Sequence, residues 1–279
     1  MKDKKDMRYI ITKVGINILL FILAIVAIYP LYWLVLNSFK TNNELFTNSL
    51  AFPEVLSFNN YVLAWDRGLS KFFLNSVYVS ILSVGLTVLL GALAAYGLSR
   101  FEFKAKKLIF ILILGGLMLP EQVSLVPLYK LLQKIHLYNT HWAMIVPYVA
   151  FRIPFAVFLM RSYFLSFPKD IEEAAYIDGY GSFSIFLKIV LPISKPILAA
   201  AAIMTLNFVW NEFIFALVFV ENENIMTIPI GLMSFKGKVR ADWTILLAGI
   251  TIASIPMVAL YLSMQKQFVR GLMAGSTKG

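Results

Sequence analysis

Between Val14 and Leu36 the chain carries no charged residue and only one asparagine, Asn17, in an otherwise apolar run. About 20 such residues, rising 1.5 Å each as a helix, cross the roughly 30 Å hydrocarbon core of a bilayer. Inside lipid every backbone N–H and C=O must be satisfied within the segment, so a run of this kind has to be helical. It is too long for the core of a signal peptide and reads as an uncleaved first span. Further apolar runs follow at Phe72–Leu98, Leu108 to about Tyr129, Thr140–Met160, Ile197–Phe219 and Trp243 to about Met264. The expected fold class is therefore all-α integral membrane, with six transmembrane helices. With 59% hydrophobic and 14% charged residues the chain falls outside the soluble class, which agrees.

The runs differ in detail. In the second, Gly91 and Ala95 lie four apart beside Ala92 and Ala94, a spacing that lets another helix approach closely. Pro120 and Pro127 interrupt the third, with Glu121 and Gln122 after the first of them, and the fourth contains Pro147, Arg152 and Pro154. Trp33, Trp65, Trp142 and Trp243 stand near run ends, where indole rings anchor at the lipid–water interface.

Six spans place both termini on one side, and the basic residues choose which. The N-terminal tail 1–13, the Arg100 to Lys107 group, the segment holding Arg161, Lys169, Lys188 and Lys195, and the tail 265–279 carry the larger share of Lys and Arg. That bias puts both termini in the cytoplasm. The group Lys236 to Arg240 runs against it and reads alternatively as a contact surface for an outer partner. The net charge of +10 is spread beside the apolar runs instead of forming one patch, so lipid explains it better than nucleic acid. Cysteine is absent, and His136 and His141 are the sole histidines with no acidic cluster beside them, so no metal site is expected.

One loop on the cytoplasmic side is longer and more polar than a simple connection needs. From Glu172 to Pro192 it reads EEAAYIDGYGSFSIFLKIVLP. Asp170 suits an N-cap and Glu173, three residues on, completes a capping box. Gly179 supplies a stop because glycine takes the left-handed conformation cheaply. Ser182 can cap a second short helix, and Pro192 and Pro196 shape the entry into the next run. Read locally, Glu173 caps its own helix and Gly179 ends it. Read for function, the helix so fixed is a docking element, and both readings hold together.

Glu173-Ala174-Ala175, then Gly179, then Ile189 and Leu191-Pro192 at this spacing resemble the EAA signature of the permease subunits of binding-protein-dependent ABC importers. Tyr180 departs from it mildly, standing where a small residue is usual. From about Asn75 to Gly279 the chain is similar to the carbohydrate-uptake branch, and to the second of its paired permeases. LAAYGLSRFEF (Leu93–Phe103), LPEQVSLVPLY (Leu119–Tyr129), WNEFIFAL (Trp210–Leu217), TIPIGL (Thr227–Leu232), Asp242-Trp243 and the closing VRGLMAGSTKG carry that likeness. The resemblance implies a transmembrane domain over 14–264 whose loop 168–192 is a cytoplasmic coupling helix. Glu172, Glu173, Ala174, Ala175, Asp178, Gly179, Ile189, Leu191 and Pro192 then meet an ATPase dimer. A homologous second permease and an extracellular or periplasmic sugar-binding protein complete the implied complex.

No G-x-x-x-x-G-K-[ST] loop is present, so ATP and Mg²⁺ belong on the partner ATPase and this chain is not itself an enzyme. Polar residues within the runs are candidates for the solute path, since they are costly in lipid unless they face a cavity or a partner. These are Asn207, Trp210, Asn211 and Glu212 in the fifth run, and Glu121 and Gln122 in the third. The competing reading makes the asparagines interhelical glue and pairs Glu212 with Arg152. Gly271, Gly275, Ser276 and Thr277 would let the tail thread as extended chain towards the ATPases, or fray. An importer for a non-sugar solute shares the coupling loop and is the nearest rival. A passive channel has no use for that loop, and a membrane enzyme lacks its paired carboxylates or nucleophile here.

Overall fold

The computed structural model describes residues 2–166, 168, 170–236 and 242–276, and every element among them is helical. In chain order the α-helices are α1 (Lys2–Ser38), α2 (Asn42–Thr47), α3 (Asn59–Ala64), α4 (Ser70–Arg100), α5 (Lys106–Gly115), α6 (Leu125–Lys134) and α7 (Trp142–Ser166). They continue as α8 (Asp170–Ile177), α9 (Ser182–Ile185), α10 (Leu191–Ile193), α11 (Lys195–Asn211), α12 (Ile214–Phe219), α13 (Ile228–Gly231) and α14 (Trp243–Ser276).

Four helical stretches are long and apolar enough to cross a membrane: Thr12–Ser38, Asn59–Arg100, Trp142–Ser166 and Trp243–Met264. Two bent pairs bring the number to six if each is taken as one span, namely Lys106–Met118 with Glu121–Lys134, bent by 94°, and Ser182–Ile193 with Lys195–Asn211, bent by 78°. The third expected run is thus a broken helix. Leu119 and Pro120 are extended, because proline disfavours the helical conformation in the residue before it. The fifth expected run, Ile197–Phe219, is also two pieces: α11 ends at Asn211, Glu212 is extended, and α12 starts at Ile214. At the C-terminus α14 continues as helix to Ser276 within the tail 265–279, which the sequence offers as extended or frayed chain, while Thr277 and the Lys236 to Arg240 group lie outside the described side chains.

The chain divides into two compact units, one of Met1–Leu69 and Leu232–Ser254, the other of Ser70–Gly231 and Ile255–Gly279. In the first, the expected polar connection after α1 is ordered. Thr41 and Glu44 form a reciprocal capping box at the start of α2, with Thr41 N–H donating to Glu44 Oε2 at 2.7 Å and Glu44 N–H to Thr41 Oγ1 at 3.3 Å. The Thr41 N–H, the Thr41 hydroxyl and the Glu54 N–H, all donating to this carboxylate, lower its pKa. Lys40 is buried and donates Nζ to the carbonyls of Asn48 and Ser49, both at 3.1 Å, and burial lowers its pKa. Gly68, at φ 111°, takes the left-handed conformation that glycine accepts cheaply.

In the second unit α4 packs along α7. Gly91 meets Ala156 so closely that a Cβ added to it would lie 2.9 Å from the Ala156 Cβ. Ala92 and Ala95 are buried on the same side, as the small-residue spacing anticipates. Gly91→Leu is expected to destabilise the detergent-purified protein by about 2 kcal/mol, because the helices must part to admit it. A thermal unfolding midpoint equal to that of the parent would contradict this packing.

Candidate functional site

The loop between α7 and α11 folds into a short helix with two distinct faces. On α8, Glu172 and Ala175 are buried, one turn apart, whereas Glu173, Ala174 and Tyr176 are exposed and Ile177 is 88% exposed. Ala175 joins an apolar cluster with Ala92, Ala95 and Tyr96 of α4, Ala156, Met160 and Phe164 of α7, Ile185, Phe186 and Val190, and Ala201 of α11. Ile189 and Leu191 pack against that cluster, while Pro192 and Asp178 are exposed.

Gly179 ends α8 as its chemistry requires. Its φ is +83°, its N–H donates to the Tyr176 carbonyl, and the Tyr180 N–H donates to the Ala175 carbonyl, each at 3.0 Å. This is the double bond pattern of a Schellman turn, which satisfies carbonyls that the last helical turn would otherwise leave orphaned. Two local expectations differ from what forms. Asp170 is the first helical residue instead of the cap, and among the described residues no hydrogen bond joins it to Glu173; an aspartate in the first turn still meets the positive end of the helix dipole. Ser182 opens α9 from inside, with Gly181 as its N-cap, and its hydroxyl bonds instead to Tyr176 Oη at 3.0 Å.

The buried face holds a contact that no local pattern announces. Arg100, the last residue of α4, places Nε and Nη2 each 2.6 Å from Glu172 Oε1, and both side chains are nearly sealed, at 7% and 5% exposure. Tyr96 Oη lies 3.5 Å from Glu172 Oε2 and 3.4 Å from the Ser182 carbonyl, and its single proton can serve one of the two at a time.

Elsewhere in this unit lies a cavity of about 560 Å³, lined by Glu121, Gln122, Asn207, Phe208, Asn211, Glu212, Phe213, Ile214 and Phe215. Five of the six path candidates therefore share one wall. The breaks that sequence periodicity misses are what bring them together, because the Pro120 break exposes the start of one helix and the Glu212 break ends α11 beside it. Trp210 is the exception: it is 7% exposed, with its ring edge-on to Phe73 at 5.8 Å, and it does not line the cavity.

Polar groups in the wall are held by specific partners. The Asn211 amide donates to Asn207 O at 2.8 Å and to Asn207 Oδ1 at 3.0 Å, one turn back on the same exposed face. Glu212 accepts from the N–H groups of Phe215 at 2.7 Å and Ala216 at 3.2 Å, so it caps α12, and from the Tyr148 hydroxyl at 2.5 Å. Arg152 pairs with Glu121, and its guanidinium sits 3.7 Å from the centre of the Phe208 ring. The expected Glu212–Arg152 pair is thus replaced by two separate arrangements, since Glu212 is claimed by the helix it starts. Amides beside aromatic faces suit a solute that presents both hydroxyls and apolar ring surface.

Comparison with known proteins gives one consistent picture. The family described as "Binding-protein-dependent transport system inner membrane component" matches residues 87–273. The probable ABC transporter permease protein YurM of Bacillus subtilis (strain 168) is 50% identical, covering 100% of this chain and 93% of its own length. The arabinooligosaccharides transport system permease protein AraQ of Halalkalibacterium halodurans is 37% identical, covering 92% of this chain and 93% of its own. Among solved structures, a chain of a bacterial ABC transporter involved in import of the acidic polysaccharide alginate superposes with a TM-score of 0.82 at 21% identity. It covers 92% of this chain and 96% of that one. At that identity the likeness concerns the fold.

Proposed function

Because this chain belongs to the family of binding-protein-dependent transport system inner-membrane components, we propose that it is a permease subunit of an ATP-driven importer of sugars or oligosaccharides. It is a multi-pass protein of the bacterial inner membrane, with both termini in the cytoplasm. A homologous second permease completes the solute path, an ATPase dimer binds ATP and Mg²⁺, and a binding protein delivers the solute from outside.

The observation that carries the reading is α8. It turns Glu173, Ala174 and Ile177 to the outside from a helix whose other face is locked into the core and whose end is fixed by Gly179. A helix so presented is a rigid plug for a cleft on another protein, which a mere connection does not need. Movement of that plug, as a rigid body, would switch the path between outward and inward access. Glu121, Gln122, Asn207, Asn211 and Glu212 form this chain's part of the path, and the amide wall with Phe208, Phe213 and Phe215 favours a sugar.

The test is affinity purification in mild detergent with a tag at Met1, followed by Mg-ATP hydrolysis on the co-eluting complex. Co-elution of a second permease and an ATPase is expected, with turnover rising on addition of the loaded binding protein. A chain that neither co-elutes with an ATPase nor cross-links to one in intact membranes would overturn the reading.

A further inference from the structure

Resting on the importer reading above, we propose that Arg100 and Glu172 are the positioning pair through which displacement of α8 is passed into the membrane helices. Glu172 is counted in the coupling signature, but its burial takes it off the surface that would meet the ATPase, so neither the docking face nor the cavity contains this pair. It lies on the buried side of α8.

Apolar burial alone is a poor transmitter, because it is non-directional and tolerates sliding. The Ala175 contacts are of that kind. A sealed ion pair behaves differently: any separation leaves two charges without partner or water, so the pair resists being pulled apart. The Nε hydrogen bond to Glu172 Oε1 gives the pair a direction, while Nη2 stands 2.6 Å from the same oxygen as an ion-pair contact without hydrogen-bond geometry. Tyr96, one turn back on α4, has its hydroxyl within 3.5 Å of the same carboxylate and 3.4 Å of the Ser182 carbonyl, so its one proton reaches the coupling segment on one side of Gly179 or the other. An outward or sideways step of α8 therefore has to carry the end of α4 with it.

From there the route is continuous packing. The same stretch of α4 lies against Ala156, Met160 and Phe164 of α7 and against Ala201 of α11. Asn207 follows Ala201 on α11 by about 9 Å of helix rise, and it lines the cavity. The pair thus joins the face that would meet the ATPase to the helix that carries the amide wall.

The chain contains no cysteine, so Ile214→Cys, at an exposed position on the cavity wall, places a single thiol there. In the reconstituted complex, its labelling by a membrane-impermeant thiol reagent is compared with and without a non-hydrolysable ATP analogue, alongside uptake and ATP hydrolysis. With Arg100→Gln or Glu172→Gln, the ATPase is expected to stay attached and hydrolysis to stay within about twofold of the parent, while uptake per ATP falls roughly tenfold or more. Labelling at position 214 should then no longer respond to nucleotide. The exchange Arg100→Glu with Glu172→Arg should recover about a third or more of the lost coupling.

Parent values of uptake per ATP and of nucleotide-dependent labelling in both single variants would overturn the proposal. So would loss of the ATPase from the complex with uptake and hydrolysis falling together, which assigns the pair to building the docking face alone. Should the neutral variants fail to accumulate, Arg100→Lys decides, since it keeps the charge but loses the directional Nε hydrogen bond. A fall of about threefold in uptake per ATP is expected there, and parent coupling overturns the idea. An unmutated control that recruits no ATPase sinks the importer reading itself and is recognised because the control has failed.

Discussion

Gly179→Pro is expected to abolish ATP-driven uptake while leaving the chain inserted in the membrane. At φ +83° this position lies far from the φ of about −65° that a proline ring enforces. The substitution also removes the N–H that donates to the Tyr176 carbonyl and displaces Tyr180, whose N–H serves the Ala175 carbonyl. Strain and lost bonds together amount to about 3 kcal/mol or more, concentrated on a helix of 8 residues. The last turn of α8 then unwinds, and Ile177 and Tyr176 lose their fixed presentation.

Gly179→Ala separates strain from space. Nothing lies within 4 Å of a Cβ there, so only the left-handed conformation is penalised, by about 1 kcal/mol, and uptake should fall several-fold. Glu173→Ala, on the exposed face, should leave the fold intact and weaken ATPase attachment. Co-purification of the ATPase and uptake into proteoliposomes measure all three. Parent-level uptake in Gly179→Pro would remove any coupling role for this turn.

Much of this architecture is legible in the amino-acid sequence. The apolar runs announce helices because lipid leaves the backbone no alternative. Gly179 announces a helix end because few other residues accept its conformation. Glu121, Gln122, Asn207, Asn211 and Glu212 stand out as polar residues in apolar surroundings, and the structure gathers all five round one cavity. Trp210 stands out equally and points elsewhere, since its place on α11 faces Phe73. The break after Asn211 carries no proline or glycine; it arises because the Glu212 carboxylate caps the next helix, a choice visible only once Phe215 and Ala216 present their N–H groups. Thr41-x-x-Glu44 is the converse case, a capping box written plainly in a segment that reads as loop. Arg100 and Glu172 lie 72 residues apart, and pairings at that distance follow from tertiary packing and from no local pattern.

Arg152→Met is expected to be the most destabilising single change in the cavity wall. It leaves Glu121 partly buried, at 24% exposure, without its counter-ion, and it removes the cation from the Phe208 face. Orphaning one member of a fully buried pair costs about 3–5 kcal/mol, and water reaching this partly exposed one reduces that to about 1–2 kcal/mol, whereas replacing both by neutral groups of similar size is often close to neutral. Glu121→Gln combined with Arg152→Met should therefore recover most of the stability lost in Arg152→Met alone. Glu212 cannot take over the vacated role of counter-ion, being an anion already committed to Tyr148 and to the start of α12. Thermal unfolding in detergent measures the cycle, and uptake measured on the same variants separates two uses of the pair. Recovered stability with uptake still lost places the charges in the solute path; recovery of both makes them a brace for the break at Pro120. An Arg152→Met protein that unfolds at the parent midpoint would mean that water, and not Arg152, satisfies Glu121.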